Sequence, residues 1–195
     1  MPEEFAFGKP SSETKVQLAD NKNPPLQWQD LPAGTKSLSL LCVDPDAPSR
    51  PDDVNQPDRE VPADLPRTNF FHLVLVDLPA DLQQIVEGQL SSGVTVGGKS
   101  AELTTLKGRQ GLNTYTDWFA GDPNMKGSYY GYDGPCPPWN DALVHRYVFT
   151  LYALDVPQLE LPSPFSGADV LKKMEGHILG QQSFEGTYTL NTRLR

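Results

Sequence analysis

With 195 residues, of which 37% are hydrophobic and 9% aromatic, the chain can bury one substantial core and is too apolar to stay disordered, so a single domain over 1–195 is the expectation. A formal net charge of −9 excludes long-range attraction to nucleic acid or to anionic lipid, and any anion must therefore be captured by local groups. No stretch approaches the ~18 apolar residues of a membrane span. The start carries Glu3 and Glu4 where a leader would be basic, and Cys42 and Cys136 are too few for a disulfide framework. These features predict a cytoplasmic protein with free thiols and no stable membrane insertion.

Nineteen prolines and sixteen glycines at short intervals favour strands and turns, hence a mainly β fold. The first strand runs from Leu38 to Asp44, with Leu38, Leu40, Cys42 and Asp44 on one face, and ends in Asp44-Pro45-Asp46-Ala47-Pro48. A loop from Ser49 to Arg67 follows, with four prolines and five acidic residues, suited to presenting an extended segment to a protein partner. The next strand, Phe70 to Asp77, places Phe70, His72, Val74 and Val76 together, and Asp81 to Val86 reads as a short helix. After a long Gly-, Tyr- and Trp-rich connection from Gly97 to Asn140, the strand His145 to Leu154 aligns His145, Tyr147, Phe149 and Leu151. Ser166 and Asp169 have capping-box spacing, and Val170, Leu171, Met174 and Ile178 then recur at helical intervals, predicting a helix from about Ala168 to Leu179 that lies on the sheet. The last strand is Ser183 to Leu190.

Chemistry-bearing residues gather at strand ends. Taken singly each has a plain structural explanation: a rigid turn for Asp44–Pro48, a satisfied core histidine for His72, a strand start for His145-Arg146-Tyr147. If the first two strands pair antiparallel, however, Asp44 comes near His72, and a third strand running with the second brings His145 to the same end. The Gly/Pro segment Tyr132-Asp133-Gly134-Pro135-Cys136-Pro137-Pro138 is held outside the sheet, either as a stiff structural loop or as the wall of such a pocket, with N–H groups near Gly134 and Cys136 to meet an anion. Two histidines and a carboxylate also have the ligand types of a metal site or an acid–base pair, although the chain has no G-x-S-x-G, H-E-x-x-H or P-loop.

The motifs Asn23-Pro24-Pro25-Leu26-Gln27-Trp28, Asp44-Pro45-Asp46-Ala47-Pro48, His72-Leu73-Val74, Gly134-Pro135-Cys136-Pro137-Pro138, His145-Arg146-Tyr147 and Gly176-His177-Ile178-Leu179 occur in an order that resembles the phosphatidylethanolamine-binding protein family, in its prokaryotic branch of Raf kinase inhibitor-like proteins. The resemblance covers about Asn23 to Tyr188. It implies a large antiparallel Greek-key sheet packed on a smaller one, with one or two short helices, and an anion pocket at one end of the sheet. It assigns Asp44, His72, His145 and Tyr147 to the pocket lining, completed by Gly134, Cys136 and Pro138. The expected function is non-enzymatic binding of a small anionic, phosphate-bearing ligand or a phosphorylated group on another protein, without cofactor or metal. The alternatives are an enzyme using Asp44, His72 and His145, and an inhibitor or scaffold of a kinase or protease.

Overall fold

The computed structural model describes residues 1–195. In chain order it contains β1 (Gly8–Ser11), β2 (Lys15–Leu18), β3 (Leu26–Gln27), β4 (Ser37–Pro48), β5 (Arg67–Pro79), β6 (Gln84–Ile85), β7 (Arg109–Gln110), helix α1 (Tyr115–Trp118), β8 (His145–Leu154), helix α2 (Gly167–Met174) and β9 (Ile178–Tyr188). The main sheet has the order β7-β5-β4-β8-β9, antiparallel throughout, with a β1–β2 hairpin and a β3–β6 ribbon beside it.

β4 lies at the centre, and Ser37 through Cys42 are buried without interruption. Both faces of this strand are covered, so Ser37 and Ser39 are buried along with Leu38 between them, and Leu40, Leu41 and Cys42 follow as an unbroken apolar run. On one face Leu38, Leu40 and Cys42 join Leu73, Leu75, Tyr147 and Phe149 in a core closed by Leu26, Trp28 and Ile85 of the small ribbon and its flanks. On the other, Leu41, Val74, Val76 and Leu154 meet Val170 and Met174 of α2. No helix is long and apolar enough to cross a membrane.

The expected strands are present, three of them longer than expected, with the last running Ile178–Tyr188 in place of Ser183 to Leu190, and three local expectations are corrected. The capping box of Ser166 and Asp169 forms, but α2 stops at Met174 because Glu175 leaves the helical conformation and Gly176 takes φ 82°. Ile178, whose spacing placed it on the helix, starts β9 and is 42% exposed. The segment 81–86 is no helix: a turn closes from Leu82 N–H to Pro79 O, and Ile85 enters the core from β6 opposite Leu26. The loop 49–67 is not extended, since Val54, Val61 and Leu65 form their own small core. The Asn140 side-chain amide clamps that loop by donating to the carbonyls of Asp53, Gln56 and Arg59.

Candidate functional site

β4 runs antiparallel to both β5 and β8, so its C-terminal end meets the beginnings of both neighbours. Asp44 follows the last β4–β8 pair, Val43 with Val148, near that end of the central strand. One of its carboxylate oxygens accepts the Asp46 N–H at 2.7 Å, the local turn expected of DPDAP, and the other accepts His145 Nδ1 at 2.7 Å. His145 Nε2 in turn reaches Asp141 Oδ2 at 3.0 Å, and Arg67 grips Asp141 with two nitrogens at 2.6 and 3.0 Å.

Four charges of alternating sign thus run through the interior. Burial disfavours the charge on His145, but the hydrogen bonds from Asp141 and Asp44 outweigh it and raise its pKa to about 9. Burial would raise Asp141, and the bonds from His145 and Arg67 bring it below the usual carboxylate range. His145 is therefore an imidazolium with both N–H groups engaged, a correction to its expected role as a direct anion donor: its ring holds Asp44 in place.

His72 reaches the site through a backbone irregularity. Cys42 pairs with Leu73 and Val43 with Phe71, so His72 is an extra residue in β5. The bulge turns it away from the side of Val74 and Val76, where strict alternation placed it, and against Tyr147, ring centroids 5.0 Å apart. Asp44 lies directly opposite Phe70. Nδ1 of His72 donates to the Asp133 carbonyl at 2.7 Å, and the Asp133 N–H returns to the His72 carbonyl at 2.9 Å. A carbonyl can only accept, which fixes the tautomer and leaves Nε2 with a bare lone pair. Burial lowers the His72 pKa against the pull of Asp44, so this ring is neutral where His145 is charged.

Around His72 stand Tyr147, Tyr115 at 5.6 Å and Phe70 at 4.9 Å, of which Phe70 alone is half-exposed. Tyr115 satisfies its hydroxyl on the Gly134 carbonyl at 2.8 Å. The Tyr147 hydroxyl is buried with no hydrogen-bond partner. Desolvation pushes both phenols well above their ordinary pKa, so both keep their protons.

The Gly/Pro segment builds the wall. The Gly134 N–H is not available to an anion as expected, because it donates to Asn21 Oδ1 at 2.8 Å, and a Cβ there would overlap the Phe5 carbonyl. The carbonyl of Pro138, also buried, accepts the Asp141 N–H at 3.1 Å and shapes the turn that delivers Asp141. Cys136 is half-buried beside Gly8, its thiol pushed up to about 12 by burial. Under the wall, Asp133 accepts from Asn21, Lys99 and Asn113 at 2.6–2.8 Å.

Comparison with known proteins fits this arrangement. The family model described as "Phosphatidylethanolamine-binding protein" matches residues 2–189. The chain belongs to that family. A UPF0098 protein of Methanothermobacter thermautotrophicus is 34% identical over 169 residues, covering 87% of this chain and 83% of its own. The UPF0098 protein YbhB of Escherichia coli is 31% identical over 170 residues, with the same coverage of 87% and 83%. Among solved structures, Escherichia coli YbcL superposes with a TM-score of 0.62 at 24% identity over 87% of this chain and 80% of its own. A phosphatidylethanolamine-binding protein homologue from Chlamydia trachomatis gives 0.59 at 27% identity over 96% and 94%.

Within this family member the seven residues singled out from sequence do lie around one sheet end, but in unequal positions. Asp44, His72 and Tyr147 converge; His145 stands behind Asp44; Gly134, Cys136 and Pro138 belong to the wall. Asp133 was read only as part of the wall segment, and Phe70, Tyr115, Asp141 and Arg67 complete the site and were not assigned to it from sequence. A two-histidine, one-carboxylate metal site needs a free nitrogen on each ring, and His145 has none. His177 lies at the far end of β8, paired with Asp155 at 2.9 Å on the surface. Two surface clefts, one beside Leu31 and Gly180 and one beside Lys15 and Trp139, are both separate from Asp44, His72 and Tyr147.

Proposed function

We propose that this chain is a non-enzymatic binding protein for a small, phosphate-bearing ligand, held in protonated, monoanionic form between the Tyr147 hydroxyl, His72 Nε2 and Asp44. The observation that carries this reading is the orphaned Tyr147 hydroxyl, buried on a ring that packs against His72, whose Nε2 keeps a bare lone pair. An unsatisfied buried hydroxyl costs about 1–3 kcal/mol, which a ligand oxygen would offset. Tyr147 offers a donor, whereas His72 Nε2 and Asp44 offer acceptors. The complementary ligand has at least one acceptor oxygen and one O–H, as a phosphomonoester monoanion does. A full dianion would meet the Asp44 carboxylate with no proton between them.

Asp44, His72 and Tyr147 are each no more than 3% exposed, so ligand entry requires this end of the sheet to open locally. Both cysteines are free. The ligand could be a free small molecule or a phosphorylated group on a protein partner. Titration calorimetry with inorganic phosphate and with a phosphorylated head-group analogue, on the wild type and on Tyr147→Phe, tests the reading. Removing the hydroxyl is expected to weaken binding roughly tenfold, the value of one charge-assisted hydrogen bond. Thermal stability should hold or rise, since the orphaned group is gone. Equal affinity in the two proteins would refute the site.

A further inference from the structure

A cleft of about 660 Å³ lies between the β1–β2 turn, residues 57–60 and the segment that follows β9, away from Asp44, His72 and Tyr147. Its volume is that of a small-molecule site. Apart from Pro57, Trp139 and Leu190 its lining is polar, so it is no seat for a hydrocarbon. Buried asparagines hold two of the walls. The Asn140 clamp on loop 49–67 is completed by its Oδ1, which accepts the Asn55 N–H at 2.9 Å, while Asn55 Oδ1 accepts the Trp139 N–H at 3.1 Å. Asn191 donates from Nδ2 to the Asp141 carbonyl at 2.7 Å and accepts the Arg193 N–H at 3.1 Å. The fold itself thus shapes the cleft, which lowers the ordering cost of binding.

Its charges are unequally matched. Arg193 pairs with Glu60, and Arg59 pairs with Asp53 at 3.0 Å. Lys15, the first residue of β2, and Asp58, on the loop, have no oppositely charged partner, and both reach solvent. The Lys15 ammonium instead lies over the Trp139 ring, 5.6 Å from its centroid. Lys15 holds φ at 67°, a backbone conformation that favours glycine, so a lysine here carries strain that a structural turn does not require.

We propose that this cleft binds a short zwitterionic peptide, with its terminal carboxylate on Lys15 and its terminal ammonium on Asp58. Each unmatched charge then meets one opposite. A plain anion would satisfy Lys15 but would approach Asp58, Glu60 and a chain of net charge −9, whereas a plain cation would leave Lys15 unmatched. A zwitterion has no net charge to be repelled at long range. Trp139 and Leu190 offer apolar contact to the side chains between the two ends.

Titration calorimetry of the whole chain with di-, tri- and tetra-alanine tests this, the tightest binder of the three being compared with its N-acetylated and C-amidated forms. Blocking either end is expected to weaken binding up to about fivefold, the value of one solvent-touched ion pair, and Asp58→Asn and Lys15→Gly should do the same. The assignment of ends is read from the combinations: the amidated peptide should bind the wild type and Lys15→Gly alike, and the acetylated peptide should bind the wild type and Asp58→Asn alike, because each pair is already broken. Thermal stability of Lys15→Gly should hold or rise, since glycine accepts this φ freely. If Lys15→Gly loosens the hairpin, Lys15→Met still decides. No binding of any of the three peptides at millimolar concentration, blocked peptides that bind as well as the free one, or wild-type affinity in both Lys15→Met and Asp58→Asn would each overturn the proposal.

Discussion

His145 donates to Asp44 across 2.7 Å, inside the protein, at the point where a ligand donor was expected. The pair continues through Asp141 to Arg67, so the charges balance before any ligand arrives. Removing one member of such a chain leaves its partner's charge buried and uncompensated, at about 3–5 kcal/mol. His145→Gln and Arg67→Met are therefore expected to lower stability by that order in chemical denaturation, well before any effect on affinity is resolved. A His145→Gln variant of wild-type stability but lost phosphate affinity would return His145 to the role of direct ligand.

How much of this was legible depends on whether a residue sits in a periodic segment. Asp44 and Tyr147 were placed correctly because β4 and β8 keep strict alternation up to the site. His72 was recognised by type and assigned to the wrong face, since a bulge is one extra residue and leaves no mark in a pattern of period two. Asp141 and Arg67 sit at the ends of aperiodic connections, and only the folded loop 49–67 brings them together. Ile178 continued the helical spacing by coincidence, while the backbone turn at Gly176 decided the boundary.

The two histidines should give stability an optimum in pH. The folded pKa of His145 is raised from 6.5 to about 9, so its contribution, about 3 kcal/mol, is complete below pH 6.5 and is lost as pH rises toward 9. His72 is shifted the other way by burial, so protonation on the acid side of 6.5 favours the unfolded chain. Denaturation midpoints measured from pH 5 to pH 9.5 should therefore peak between pH 6 and pH 7. His145→Gln should flatten the alkaline limb alone. An alkaline limb that persists in this variant would assign it to another group.

Phosphate binding should be accompanied by proton uptake. A phosphomonoester loses its second proton near pH ~6, and neutral His72 offers only a lone pair. Near neutral pH most of the ligand must gain a proton to meet either acceptor. Calorimetry with inorganic phosphate in buffers of different ionisation enthalpy should give heats that vary with the buffer, and affinity should fall by up to about tenfold per pH unit on the alkaline side. Heats independent of buffer would mean that the dianion binds as it stands.

The two thiols should report two different openings of the structure. Cys42 is 1% exposed in the central strand and its pKa is raised well above the ordinary value by burial, so a labelling reagent can reach it only through global unfolding. Cys136 is half-buried between the wall and the β1–β2 hairpin, where a Cβ on Gly8 would stand 2.6 Å from its sulfur. Its thiol, near 12, is also almost wholly protonated at neutral pH. Labelling of Cys136 should therefore be slow, speed up with rising pH, and precede that of Cys42 because the hairpin opens without the main sheet. Gly8→Ala forces the hairpin and the sulfur apart, and it should accelerate Cys136 without affecting Cys42. Mass spectrometry of the labelled chain over time separates the two sites, and equal rates at both would show that the hairpin and the main sheet open as one unit.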